Sequence, residues 1–165
     1  MKNSNYPDRT AEVRASGRID DTKETGMTSH PESAQANAAL VLKSIEALNA
    51  GDTEGLLAVV APDIVIHYAE MAEPLHGRDT WQHGFELMRR AFPDLEARVD
   101  DLVAADDKVA IRVSFRGTHQ GEFQGIPATS RTIHYVSHEF YRVENGLFAE
   151  EWICSDTASL FRQLS

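Results

Sequence analysis

A chain of 165 residues with 42% hydrophobic content can hold one domain with a substantial core and is too short for two. Its formal net charge of -10, from 26 acidic and 16 basic residues, repels phosphate backbones and argues against a nucleic-acid partner. The lone Cys154 excludes an internal disulfide and fits a reducing cytoplasm, no apolar run is long enough for a bilayer, and Met1–Asp8 lacks the apolar core of a secretory signal.

Residues 1–33 are polar and charged, with Pro7, Pro31 and two glycines, so they bury too little apolar surface to offset their ordering entropy. They are expected to form a disordered tail ahead of one domain, residues 34–165. Helical spacing begins near Ala34, with Val41, Ile45 and Leu48 on one face, and Asn49-Ala50-Gly51 stops it. Asp52 is a suitable cap for a second helix, Thr53–Ala61, ended by Pro62. Ile64–Ala69 is β-branched and aromatic and reads as a strand. Trp81, Phe85, Met88 and Phe92 stripe a third helix, capped by Asp79 or Thr80 and ended by Pro93.

Beyond Pro93 the period becomes two. Strands are predicted at Leu95–Ala104, Val109–Thr118, Thr132–Val143 and Leu147–Cys154, the last pair joined by a hairpin at Glu144-Asn145-Gly146. Thr157–Leu164 is a short amphipathic ending. Helices first, then an antiparallel meander, make an α+β domain with helices layered on one sheet.

The glycine-rich segment Gly117-Thr-His-Gln-Gly-Glu-Phe-Gln-Gly-Ile-Pro-Ala-Thr-Ser-Arg131 lies between two of these strands. It resembles the Gly-Thr-His-x-Gly-Glu-Phe-x-Gly-x-Pro-x-Thr-x-Arg signature of the SnoaL-like polyketide cyclases, or ester cyclases. Further matches follow in order at Asn49-Ala-Gly-Asp52, Phe92-Pro-Asp94, Tyr141-Arg-Val-Glu-Asn-Gly146, and Asp156 with Leu160–Leu164. The resemblance implies a cone-shaped α+β barrel of the nuclear transport factor 2 (cystatin-like) type, with a cavity between helices and a curved antiparallel sheet. It implies a hydrophobic polyketide-like or polycyclic carbonyl substrate, cyclised or rearranged by acid–base chemistry without metal or organic cofactor. It also implies homodimers through the outer sheet face. Other members hydroxylate related scaffolds, and a non-catalytic binding module or an epoxide-opening enzyme of the same fold are the alternatives.

Aldol closure needs a base beside a carbonyl and a donor for the enolate. The family's cyclases place an aspartate on the last strand and a histidine on the one before it. Aligning on Arg162-Gln163-Leu164 puts Ile153 and Glu139 at those positions, a departure from the pattern. Glu151, two residues before Ile153, shares its strand face. Two carboxylates in an apolar pocket push one pKa upward, so Glu139 and Glu151 are the candidate acid and base.

His119 extends the inward parity of Val109, Ile111, Val113 and Phe115, which places it at the cavity mouth as a third catalytic candidate. The alternative, which the glycine-rich turn favours slightly, is a structural histidine that bonds backbone there. Tyr68 is a candidate enolate donor, and its neighbour His67 is also assigned to substrate binding, although alternation lets only one of them face the cavity. Trp81 and Phe85 suit a flat polycyclic ligand, and Phe115, Tyr135 and Ile153 complete the expected lining. His134 and His138 stand about 13 Å apart on a strand, too far for metal bonds of ~2 Å, so no metal site is expected.

Overall fold

The computed structural model describes residues 31–165. The expected tail lies outside the described residues except for its last three, which open the first helix. The elements are α1 (Pro31–Ala50), α2 (Thr53–Leu57), β1 (Val60–Tyr68), β2 (Leu75–His76), α3 (Arg78–Ala91), β3 (Glu96–Ala105), β4 (Lys108–Thr118), β5 (Thr132–Glu144), β6 (Leu147–Ser155) and α4 (Thr157–Leu164).

Helix α1 ends because Gly51 adopts φ +68, which lets its own N–H and that of Asp52 close on the carbonyls of Leu48 and Ala47. The Asp52 carboxylate then accepts from the Gly55 N–H at 2.9 Å and starts α2. This helix is shorter than the expected Thr53–Ala61, and β1 begins four residues earlier than Ile64. The reason is burial. Val60 and Ala61 enter the core as strand residues behind the buried turn residue Val59, while Pro62 falls where β1 has no neighbour pairing. The short β2 and the parallel pairing of β1 with β6 were not foreseen, since both depend on contacts distant in sequence. Helix α3 starts two or three residues earlier than Asp79 or Thr80 would cap it, at Gly77 with φ +92 and no side-chain cap. The Arg78 guanidinium anchors it instead by donating to the Val60 carbonyl.

The six strands form one mixed, open sheet in the order β2-β1-β6-β5-β4-β3. Only β1 and β6 pair in parallel. The sheet curves with its inner face toward the helices. Along β5 every second residue is buried, Ile133, Tyr135, Ser137, Glu139, Tyr141 and Val143. Val109, Ile111, Val113 and Phe115 on β4 stand opposite them. No helix among the described residues is long and apolar enough to cross a membrane.

Side-chain clasps close the open edges and corners. The Asn49 amide bonds both backbone groups of Ala97, at 2.8 and 2.7 Å, and so caps the outermost strand. The Asp94 carboxylate takes the N–H and the hydroxyl of Thr118, each at 2.7 Å, and these bonds hold its pKa low. The Gln163 amide bonds both backbone groups of His134 and ties α4 to β5.

Candidate acid–base site

Glu139 and Glu151 point inward from adjacent strands. In the β5–β6 register Glu139 faces Ile153 and Tyr141 faces Glu151, so the carboxylates form a diagonal pair whose backbones lie about 7–8 Å apart. They are 6% and 5% exposed. Such burial is unusual for glutamate, and neither has an ion-pair partner among the described residues. Their only compensation is neutral hydrogen bonding. The Tyr141 hydroxyl donates to Glu139 Oε2 at 2.5 Å, and Ser137, whose hydroxyl accepts from Ser155 at 2.9 Å, lies on the same inner face of β5. The Trp81 indole N–H donates to Glu151 Oε2 at 2.8 Å.

Burial raises both carboxyls. Glu139 is pushed above the usual range, while its bonds from Tyr141 and Ser137 pull the other way. Glu151 is pushed up to about 8, first by burial and then by the charge on Glu139, with Trp81 and Tyr141 opposing. The asymmetry sets the order of ionisation. Charge settles first on Glu139, which has the closer donors, and Glu151 then keeps its proton. The Tyr141 phenol is raised well above its ordinary range by burial and by the charges of Glu139 and Glu151, so its hydroxyl stays a neutral donor beside both carboxylates.

Tyr68, on β1, shares the inward face with Ile64 and Ile66. Its phenol is pushed up to about 12 by burial and by Glu151 and Glu139, so it stays a neutral donor beside them. Tyr135 stacks on Phe115 with ring centroids 5.0 Å apart, and burial raises its pKa as well. Trp81 stacks on Phe85, and both remain partly exposed, as do Tyr68 and Ile153. The structure therefore assembles Glu139, Glu151, Tyr68, Tyr135, Phe115, Trp81, Phe85 and Ile153 on one inner surface.

Two predicted residues fall elsewhere. His67 faces outward, pairing with Glu150 at 2.9 Å and stacking on Trp152, because strand alternation gives the inner face to Tyr68. His119 is not at a cavity mouth. It is 0% exposed at the far end of the sheet, where its N–H bonds the Arg131 carbonyl. Six residues of β5 separate Ile133, at that end, from Glu139, about 20 Å of strand. Its Nδ1 accepts from the Thr129 N–H at 3.3 Å and meets the Thr129 hydroxyl at 3.0 Å, closing the glycine-rich loop across its own ends.

Tyr141 and Ser137 were missed as site residues. The signal was available, since both share the parity of Glu139 on β5. Among the described residues, no group of three or more His, Cys, Asp or Glu is arranged to hold a metal. Two open hollows lie apart from the carboxylates. One of about 620 Å³ is lined by Arg98, Asp100, Arg112 and His134 on the outer face, and one of about 420 Å³ lies beside Pro62 and Arg78.

The fold and its buried carboxylate pair define an α+β domain with an acid–base face directed at its helices. Residues 38–164 match the family of SnoaL-like polyketide cyclases, and the chain belongs to that family. Among solved structures it is similar to AclR, a proposed hydroxylase from Streptomyces galilaeus, at 30% identity and TM-score 0.73, over 79% of this chain and 96% of that one. It is also similar to IdmH, a proposed polyketide cyclase from Streptomyces antibioticus, at 34% identity and TM-score 0.68, over 78% and 97%. TsrD from Streptomyces laurentii follows at 29% identity and TM-score 0.69, over 82% and 97%. No curated protein sequence matches the chain.

Proposed function

We propose that the protein cyclises or rearranges a carbonyl-bearing polyketide or similar polycyclic small molecule, with Glu139 as base and Glu151 as acid. The observation that supports this is the pair of buried carboxylates on adjacent strands, without an ion-pair partner among the described residues and with the Tyr141 hydroxyl bonded to Glu139. Glu139 removes a proton from the carbon next to a carbonyl. Tyr68 donates to the enolate oxygen that forms. The enolate carbon attacks a second carbonyl, a carbon–carbon bond forms, and the displaced electron pair on oxygen takes the Glu151 proton. Glu139 then holds a proton and Glu151 a charge, and transfer through the Tyr141 hydroxyl restores the starting state.

The aromatic side chains Trp81, Phe85, Phe115 and Tyr135 suit a flat substrate. Turnover of aromatic β-ketoesters that carry a further ketone or aldehyde within ring-closing distance is the test, with the product identified as the ring-closed isomer. Glu139→Gln and Glu151→Gln should each lower kcat at least about 100-fold. Unchanged turnover in both variants rejects the assignment. The rate should fall as pH rises through about 8, where Glu151 loses its proton.

A second reading, hydroxylation with dioxygen, draws on the likeness to AclR and on Ile153 at the position of the cyclase aspartate. Oxygen uptake with substrate separates the two.

The outer face favours a homodimer. Phe140 is 50% exposed, faces Trp152 in the register on one side and Ala110 on the other, and Ala110 in turn faces Val103, which is 66% exposed. Such a row is a natural surface for a second copy. Phe140→Arg should halve the mass measured by sedimentation, and a wild-type protein already monomeric at micromolar concentration refutes the pairing.

A further inference from the structure

We propose that Trp81 is a positioning residue that fixes which oxygen of Glu151 carries the proton and couples that proton to helix α3. This rests on Glu151 acting as the acid of the pair. The indole N–H can only donate, and it points at Oε2 at 2.8 Å. An oxygen that accepts this bond serves as the carbonyl end of the carboxylic acid. The proton is therefore directed to Oε1, away from α3. Tyr141 lies within reach of Glu151, so it and the substrate compete for that proton.

The groups facing Glu151 come from three elements. Glu139 and Tyr141 stand on β5, Tyr68 on β1, and Trp81 on α3. Of these only Trp81 can donate and never accept, so its bond keeps one direction through the catalytic cycle. A phenylalanine would fill most of the same space and leave the carboxyl free to rotate. The indole also favours the charged form of Glu151. Trp81 thus limits how strongly the acid retains its proton, while burial keeps that proton in place at neutral pH.

The chain has two tryptophans, and Trp152 stands on the opposite face of the sheet against His67. Their two indole N–H resonances give a readout that needs no substrate. In the full-length protein, labelled with ¹⁵N and with ¹³C at glutamate, the Trp81 indole proton should shift with a midpoint near pH 8. Trp152 should show no step at that pH. Glu151→Gln should abolish the Trp81 step. Trp81→Phe should raise the Glu151 carboxyl midpoint by about one pH unit, as expected for removing one donor to a charged acceptor. A Trp81 resonance that stays still while the Glu151 carboxyl titrates near 8 overturns the coupling and leaves the acid–base pair intact. A Glu151 carboxyl that finishes titrating below pH 6 defeats the pair itself, and this proposal with it.

Discussion

Glu151→Gln should make the protein more heat-stable at pH 8 than the wild type while removing its acid–base chemistry. The folded chain holds the Glu151 proton up to about pH 8, whereas the same group unfolded releases it near 4.5. Between those values the folded state binds more protons than the unfolded state, so stability falls as pH rises. Each unit of displacement is worth ~1.4 kcal/mol, which makes the cost on the order of 3 kcal/mol at pH 7 for an isolated group. Glutamine removes that cost and keeps an oxygen for the Trp81 indole. For a domain of this size the gain corresponds to a Tm increase of about 10 °C. Scanning calorimetry from pH 5 to pH 9 should show the two melting curves nearly together at the acid end and separated at the basic end. A gap that does not change with pH, or a variant less stable throughout, contradicts the assigned burial of charge. A group that lowers stability in this way is a recognised mark of a working site.

Most of the fold was legible because it depends on short-range patterns. The alternation along β4 and β5 gave their faces, and Pro93 and Gly51 gave two helix ends. The errors arose where distant parts of the chain decide. Val60 and Ala61 became strand where Val60 meets Phe148 of β6, and β2 exists only as a partner of β1. The family motifs proved to be mainly architecture. Asn49, Asp94, His119 and Gln163 each tie a side chain to another segment, and none of them touches the carboxylates. Glu139 and Glu151 were found by parity, which reports a face and says nothing about partners. Parity alone carried no sign that Trp81 reaches across from α3 to Glu151, since helix and strand are 70 residues apart.

The signature loop contains two glycines that should respond very differently to alanine. At Gly121 an added Cβ would lie 2.3 Å from the Arg90 carbonyl oxygen and 3.2 Å from the Ala91 Cα. Those are backbone atoms and cannot swing aside. The N–H groups of Gln120 and Gly121 also bond the Ala91 carbonyl, at 2.9 and 3.1 Å, so relieving the clash means breaking the attachment of the loop to the end of α3. Forced overpacking costs ~1–3 kcal/mol, and each lost hydrogen bond adds ~1 kcal/mol. Gly121→Ala should therefore lose about 3–4 kcal/mol, roughly 10 °C in Tm. Gly125 has φ +80 and open space around its Cβ position, so alanine there meets only the left-handed backbone penalty of ~1 kcal/mol. Both variants should be compared by urea denaturation. Equal losses at the two sites would mean that contact with Arg90 does not dictate glycine at position 121. A large loss confined to Gly121 would show that the motif is held by the fit of this corner against α3, the helix that carries Trp81 to Glu151.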